Sequence, residues 1–287
     1  MDQYYLLEKL LLSREELHIL NFPRSTHTKG KAILMNREDI YFPGHLSKHI
    51  RRCNRCKRKY IVTEKGKPVV NEKCYFHDGK KPRSGELYPC CGGKIKSPPC
   101  TERLQHMHEE VDADNLVGFI STTEGRLNKS IVAIDCEMVY TDCGNVVAAM
   151  SMVNENYETI MEKVIIPEGI VLDYNTFHTS LTENNFIGIK DDLKDLQKEI
   201  LKHVGDNTIL VGHGLHNDLL KLKIIHDKIF DTTIAYPHPR GLPLLYRLDD
   251  LRNLYLPVRN SYPMHCKLKC TIDAVDAMKL AMLKIRI

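Results

Sequence analysis

Six of the ten cysteines, Cys53, Cys56, Cys74, Cys90, Cys91 and Cys100, fall within residues 46–110, a polar stretch with no long periodic run of apolar side chains. A segment of this kind cannot bury enough surface to hold itself folded and needs a staple. Histidines complete the pattern, in the order Cys53-x2-Cys56, Cys74-x2-His77, Cys90-Cys91, Cys100, His106 and His108. Thiolate and imidazole donors two residues apart are the ligand spacing of tetrahedral zinc. Eight or more candidates permit two ions, with Cys53, Cys56, Cys74 and His77 the first choice and Cys91, Cys100 and His106 next. Neighbouring side chains point in different directions, so Cys90 and Cys91 are expected to serve different ions. An all-Cys/His shell leaves no open position, so this zinc is expected to be structural rather than catalytic.

The length of 287 residues suggests about two domains. Hydrophobic residues at 43% and charged residues at 27% exclude collagen-like, disordered and coiled-coil classes. The longest apolar run, Val146 to Met150, is far short of the roughly 18 residues that a membrane helix requires. Asp2 and Glu8 flank short apolar pieces without a basic region or a small-residue cleavage site, so no secretory signal is expected. A reducing compartment then favours metal ligation over disulfides.

The net charge of +4 says little by itself. No acid lies between Asp39 and Glu64, however, while Lys48, Arg51, Arg52, Arg55, Lys57, Arg58 and Lys59 cluster there. Such a run is either a solvated face or a patch that tracks nucleic-acid phosphates.

Four regions follow. Residues 1–45 read as a helical leader, with Leu6, Leu7, Leu10 and Leu11 at helical spacing and Ser13 with Glu16 as a capping box. Residues 46–110 form the Cys/His module, and 111–130 the expected linker. From residue 131 strands are expected at 130–134, 146–153 and 160–166. An amphipathic helix follows, starting at Asp191 and Asp192 and carrying Leu193, Leu196, Ile200 and Leu201, then a strand at 208–211 and helical texture over 219–225. That order predicts an α/β domain with a mixed central sheet over 131–287.

The acids carry the chemistry. Asp135 and Glu137 are two apart on the first strand and therefore share a face. Asp218 follows the Leu210-Val211-Gly212 strand, near a carboxyl end where ligands of open α/β sheets collect. Asp276 lies on the last helix. Four such acids can hold two Mg²⁺ or Mn²⁺ ions about 4 Å apart.

The strings IVAIDCEMVYT and LVGHGLHNDLLKLKIIH and the final acidic helix resemble the three exonuclease motifs of the DEDD superfamily, which has an RNase H-like fold. More narrowly, the chain resembles the Rex/GOR-type RNA exonucleases. Shared features include Asp135-Cys136-Glu137-Met138, Asp173-Tyr174-Asn175-Thr176, His226 with Asp231-Thr232, and Pro237-His238 through Pro243. The resemblance covers nearly the whole chain, the Cys-rich segment included. It implies 3′–5′ hydrolysis of single-stranded RNA ends, metal ligation by Asp135, Glu137, Asp218 and Asp276, and nuclear RNA processing. The histidine branch places a general base five residues before the last acid. Counted from Asp276 that position is Thr271, and Ile272 stands where the tyrosine branch has its tyrosine. His265 is the substitute-base candidate. A slow exoribonuclease is therefore expected, ahead of an inactive relative that binds RNA or a protein partner and ahead of a zinc-built interaction protein.

Overall fold

The computed structural model describes residues 2–36, 45–47, 49–64, 67–79, 81–82, 85–109, 113, 116–125, 129–241, 244–256 and 268–286. Lys48, expected in the basic patch, and His265, the substitute-base candidate, lie outside the described residues.

Strand β1, Ser130–Thr141, is the axis of a six-stranded mixed sheet. Its side chains alternate between two apolar clusters, as strand geometry requires. Ile131 and Ala133 pack with Ala274, Val275 and Met278, whereas Val132, Ile134 and Cys136 pack with Ile200, Leu215 and Leu219. Antiparallel β2, Gly144–Asn154, pairs with β1, and β3, Thr159–Val164, pairs with β2. On the other side β4, Thr208–Gly212, runs parallel to β1, and β5, Ile229–Asp231, parallel to β4. The order β3-β2-β1-β4-β5, with β2 antiparallel to its neighbours, is the RNase H-like sheet.

Two short helices, α1, Gln3–Glu8, and α2, Arg14–Ile19, open the chain, and longer ones cover both faces of the sheet. Asp192 caps α3, Leu193–His203, accepting from the Lys194 and Asp195 N–H groups, and Leu196 and Ile200 form its buried stripe. α4, Leu215–Leu222, lies on the same side. It ends where Lys223 turns left-handed at φ 55°, so Ile224–Ile225, expected to be helical, is a short strand instead. Helix α5, Leu248–Tyr255, packs against the last helix, α6, Lys269–Lys284. Ala274, Ala277 and Ala281 let α6 lie close on the opposite face of the sheet. No helix among the described residues is long and apolar enough to cross a membrane.

The ends of the domain are sewn to this frame. Leu12, Leu17 and Phe22 of the leader enter one cluster, and Tyr4 and Leu7 the other. Ser13 and Glu16 form the reciprocal capping box on the helix Arg14–Ile19. Within the expected linker, Ile120–Ser121 pairs with Ile224–Ile225, and Leu116 and Phe119 are buried against Ala32 and Leu34. The Thr122 hydroxyl donates to His226 Nδ1 at 2.7 Å, and His226 Nε2 donates to the Thr208 carbonyl at 2.8 Å. Burial pushes His226 down to about 4, which keeps the ring neutral in this bridge.

The Cys/His module is built on a three-stranded sheet, His45–Ser47, Ile50–Arg52 and Lys59–Ile61, and a strand pair, Cys74–Phe76 with Thr101–Arg103. It meets the sheet through Arg55. The Arg55 guanidinium donates to Asp173 Oδ2 at 2.9 Å and Asn175 Oδ1 at 2.6 Å. Its carbon lies 5.1 Å from the Phe76 ring centroid and 4.8 Å from that of Tyr140. Arg103 holds the other oxygen of Asp173 at 3.0 Å. Arg55, expected to contact RNA, is therefore turned inward as the clamp between module and sheet, because a buried carboxylate on the strand Val171–Asp173 demands it.

Removing one partner of a buried ion pair leaves the other charge stranded. Arg55→Ala is expected to cost about 3–5 kcal/mol, read from urea denaturation. Arg58→Ala, at an exposed position, is expected to change stability by less than about 0.5 kcal/mol.

Candidate active site and metal centres

Odd-numbered residues of β1 face α6, so Asp135 and Glu137 meet the N-terminal part of that helix. There they join Asp273: one carboxylate oxygen from each lies within 4.8 Å of the others. Asp276, expected to be the fourth acid, sits one turn further on. It is fully buried, and its Oδ2 lies 3.4 Å from Arg252 Nη1 of α5. Asp273 thus takes the place that the sequence reading assigned to Asp276. The acids differ by three positions on one helix, and only the register of α6 against β1 separates them. Asp218, on α4, falls outside the tight group of three. Its charge still reaches Asp135.

Electrostatics mark the cluster as short of positive charge. Burial, then the charges of Asp218, Asp273 and Glu137, push Asp135 well above the carboxylate range. Burial lifts Glu137 to about 8, opposed by Lys269 and aided by Asp273 and Asp218. Asp218 is lifted by burial to about 7. Glu137 Oε1 is buried without a hydrogen-bond partner. An orphaned buried carboxylate oxygen among crowded acids fits a bound hard cation, which takes oxygen ligands. Of the cluster, Asp273 lines a cavity of about 460 Å³, together with His213, Asn217, Tyr246, Arg247 and Lys269.

The base position moves with the fourth acid. Five residues before Asp273 is Leu268, which is buried in an apolar cluster with Val139 and Cys270. Thr271, the position expected to replace the histidine, faces Ser151 and Glu162 at 2.7 and 2.5 Å inside the protein.

The cysteines form two tetrads. Cys53, Cys56, Cys74 and His106 make one, and His77, Cys90, Cys91 and Cys100 the other. His77 therefore does not join Cys53, Cys56 and Cys74. Cys90 and Cys91 serve the same tetrad, because the Cys91 and Gly92 N–H groups fold back on the Tyr88 carbonyl and both thiols converge on His77. The edges are Cys53–Cys74 3.6 Å, Cys56–His106 3.3 Å, Cys90–Cys100 3.6 Å, and His77 to Cys90 and Cys91 3.8 and 3.5 Å. Zinc–thiolate bonds of about 2.3 Å imply tetrahedral edges of about 3.8 Å, so both tetrads fit zinc. Each histidine turns Nδ1 inward, while its Nε2 faces Glu72 at 3.9 Å or donates to the Ser97 carbonyl at 3.2 Å. Such outer partners orient metal-bound imidazoles. The Arg55 N–H points at Cys53 Sγ, 3.4 Å away, and the hydrogen bond with Cys74 draws Cys53 down to about 4. His108 instead pairs with the Tyr60 hydroxyl.

Of the basic patch, Lys57 and Arg58 are exposed, Arg52 is half-buried and Arg51 is buried. Sequence reasoning passed over Arg247, which lines the acidic cavity and a second one of about 720 Å³ beside the Cys/His module. It also passed over Lys269, although the Lys269-x3-Asp273 spacing puts both on one helix face.

No protein-family model matches the chain. It is 30% identical over 296 residues to human RNA exonuclease 1 homolog, an alignment covering 99% of this chain and 24% of that protein. It is 31% identical over 297 residues to the chimpanzee exonuclease GOR, covering 99% of this chain and 42% of that one. The chain belongs to the Rex/GOR-type exonuclease family. This family member spans under half the length of those relatives. The Pan2 catalytic unit of Neurospora crassa overlaps 63% of the chain and 29% of its own at a TM-score of 0.46 and 19% identity. The RNase H-like assignment rests on the strand order.

A carboxyl that binds its proton more tightly in the folded state makes stability fall as pH rises between its unfolded and folded values. For Glu137 that window runs from 4.5 to about 8. Without divalent ions, the melting temperature is expected to fall across it. Glu137→Gln should flatten the decline, and Mg²⁺ or Mn²⁺ should reverse it, as differential scanning fluorimetry would show.

Proposed function

We propose that the chain is a divalent-metal-dependent exoribonuclease that hydrolyses single-stranded RNA from the 3′ end, slowly. One observation carries the reading: Asp135, Glu137 and Asp273 bring carboxylate oxygens within 4.8 Å of one another, Glu137 keeps a buried oxygen without a partner, and Asp273 lines an open cavity. The RNA exonuclease and exonuclease names of the relatives agree with it. Asp135, Glu137 and Asp273, with Asp218 from α4, would hold Mg²⁺ or Mn²⁺. When bound, such an ion supplies Lewis acidity and an acidified water.

The chain's own groups set the rest. Arg247 spans both cavities, so an RNA strand entering the acidic one meets its guanidinium on the way to the module. The second cavity offers Lys57, Lys81, Tyr75 and Tyr88, a basic and aromatic lining suited to phosphates and unpaired bases. Leu268 cannot accept a proton, and loss of a general base typically costs about 10²–10⁴-fold. The two tetrads would hold structural zinc and so fold the module. Nuclear RNA processing goes with this reading. Leu268 also favours a second one, an inactive relative that binds RNA or a protein partner through the same surfaces.

Single-stranded RNA labelled at either end, incubated with Mn²⁺, tests this. The 3′ label is expected to leave as mononucleotide while the 5′ label steps down a ladder. Asp273→Asn should lower the rate by about 10²-fold or more, Asp276→Asn far less, and Leu268→His should raise it about ten-fold or more. Retained RNA binding with no turnover in wild type or Leu268→His would favour the second reading. Elemental analysis after dialysis is expected to give two zinc ions per chain, and under half an equivalent would remove zinc from the proposal.

A further inference from the structure

Lys269 opens α6 one turn before Asp273, and its ammonium is ion-paired with the Asp273 carboxylate. The side chain is 42% exposed, while Asp273 beneath it is 12% exposed, so the ammonium caps the acid cluster from the cavity side. Asp135 and Glu137 both feel its charge. On the inner side, Glu137 Oε1 is left buried and unpartnered. The cluster therefore has two ends, one already holding a cation that the chain itself supplies and one still lacking it.

Charge decides how many further ions fit. With Asp135, Glu137, Asp218 and Asp273 ionised beside Lys269, one divalent ion leaves the formal charge at minus one. A second would turn a largely buried pocket positive and bring two ions close to an ammonium, an arrangement that like-charge repulsion disfavours. We propose that Lys269 occupies one of the two cation positions of the acid cluster, so that the cleft takes a single divalent ion at the Asp135–Glu137 end. This rests on the metal-dependent reading above, but makes the stoichiometry a property of one lysine.

Mn²⁺ binding to the zinc-replete full chain, followed by the loss of the free-ion electron paramagnetic resonance signal and by calorimetry, tests it without any turnover. Wild type is expected to bind one equivalent, and Glu137→Gln to lose it. Lys269→Met is expected to bind a second equivalent, or the first at least about ten-fold more tightly, while Lys269→Arg keeps the wild-type count. Circular dichroism checks that each variant is folded. Two equivalents in wild type, or an unchanged count and affinity in Lys269→Met, would overturn the lysine proposal and leave the metal-dependent reading standing. No Mn²⁺ bound by wild type or Lys269→Met would overturn both.

Discussion

The period-two alternation of β1 is the constraint on which the rest depends. One face of this strand gives Ile131 and Ala133 to the α6 layer and then, further along, Asp135 and Glu137 to the acid cluster. The other gives Val132, Ile134 and Cys136 to the opposite layer. A shift by one residue would bury both acids among leucines and expose the apolar set. Neighbours on both sides make that shift inaccessible, because β2 and β4 fix the register of β1 along much of its length. The acids can be crowded and high in energy because the strand beneath them has no freedom to relieve them.

The same strand carries the accessory module. Tyr140, near its end, stacks on Arg55, and the short strand paired there supplies Asp173. Asp173 to Thr176 is one of the strings by which the chain resembles its family, and here part of it has a mechanical use. Asp173 and Asn175 receive the guanidinium of a residue lying between two cysteines of one tetrad. Order in that loop and attachment to the sheet are therefore one event.

Much of this was legible in the sequence, wherever local pattern and buried pattern coincide. The strand bearing Asp135 and Glu137, the capped helix after Asp192 and the presence of two sets of metal donors all follow from spacing. Long-range choices did not. Asp273 and Asp276 are equivalent locally, and the difference is made by Arg252 on another helix and by the way α6 lies against β1. The tetrads interleave in sequence, with His106 joining Cys53 across the module, so the spacing pairs a wrong histidine. Arg55 looks like its basic neighbours until the carboxylate waiting for it is seen.

The tetrads differ in their shelter. Cys53, Cys74 and His106 are buried, whereas Cys91 and Cys100 are exposed. With metal in both, a chelator or oxidant would meet the outer tetrad first, since accessible thiolates exchange and oxidise more readily. The inner one shares its loop with Arg55, so it would be the last to let go. Disassembly of the module would then run inward, from a peripheral finger that opens and recloses to the hinge on the sheet, and the two metals would report two different clocks.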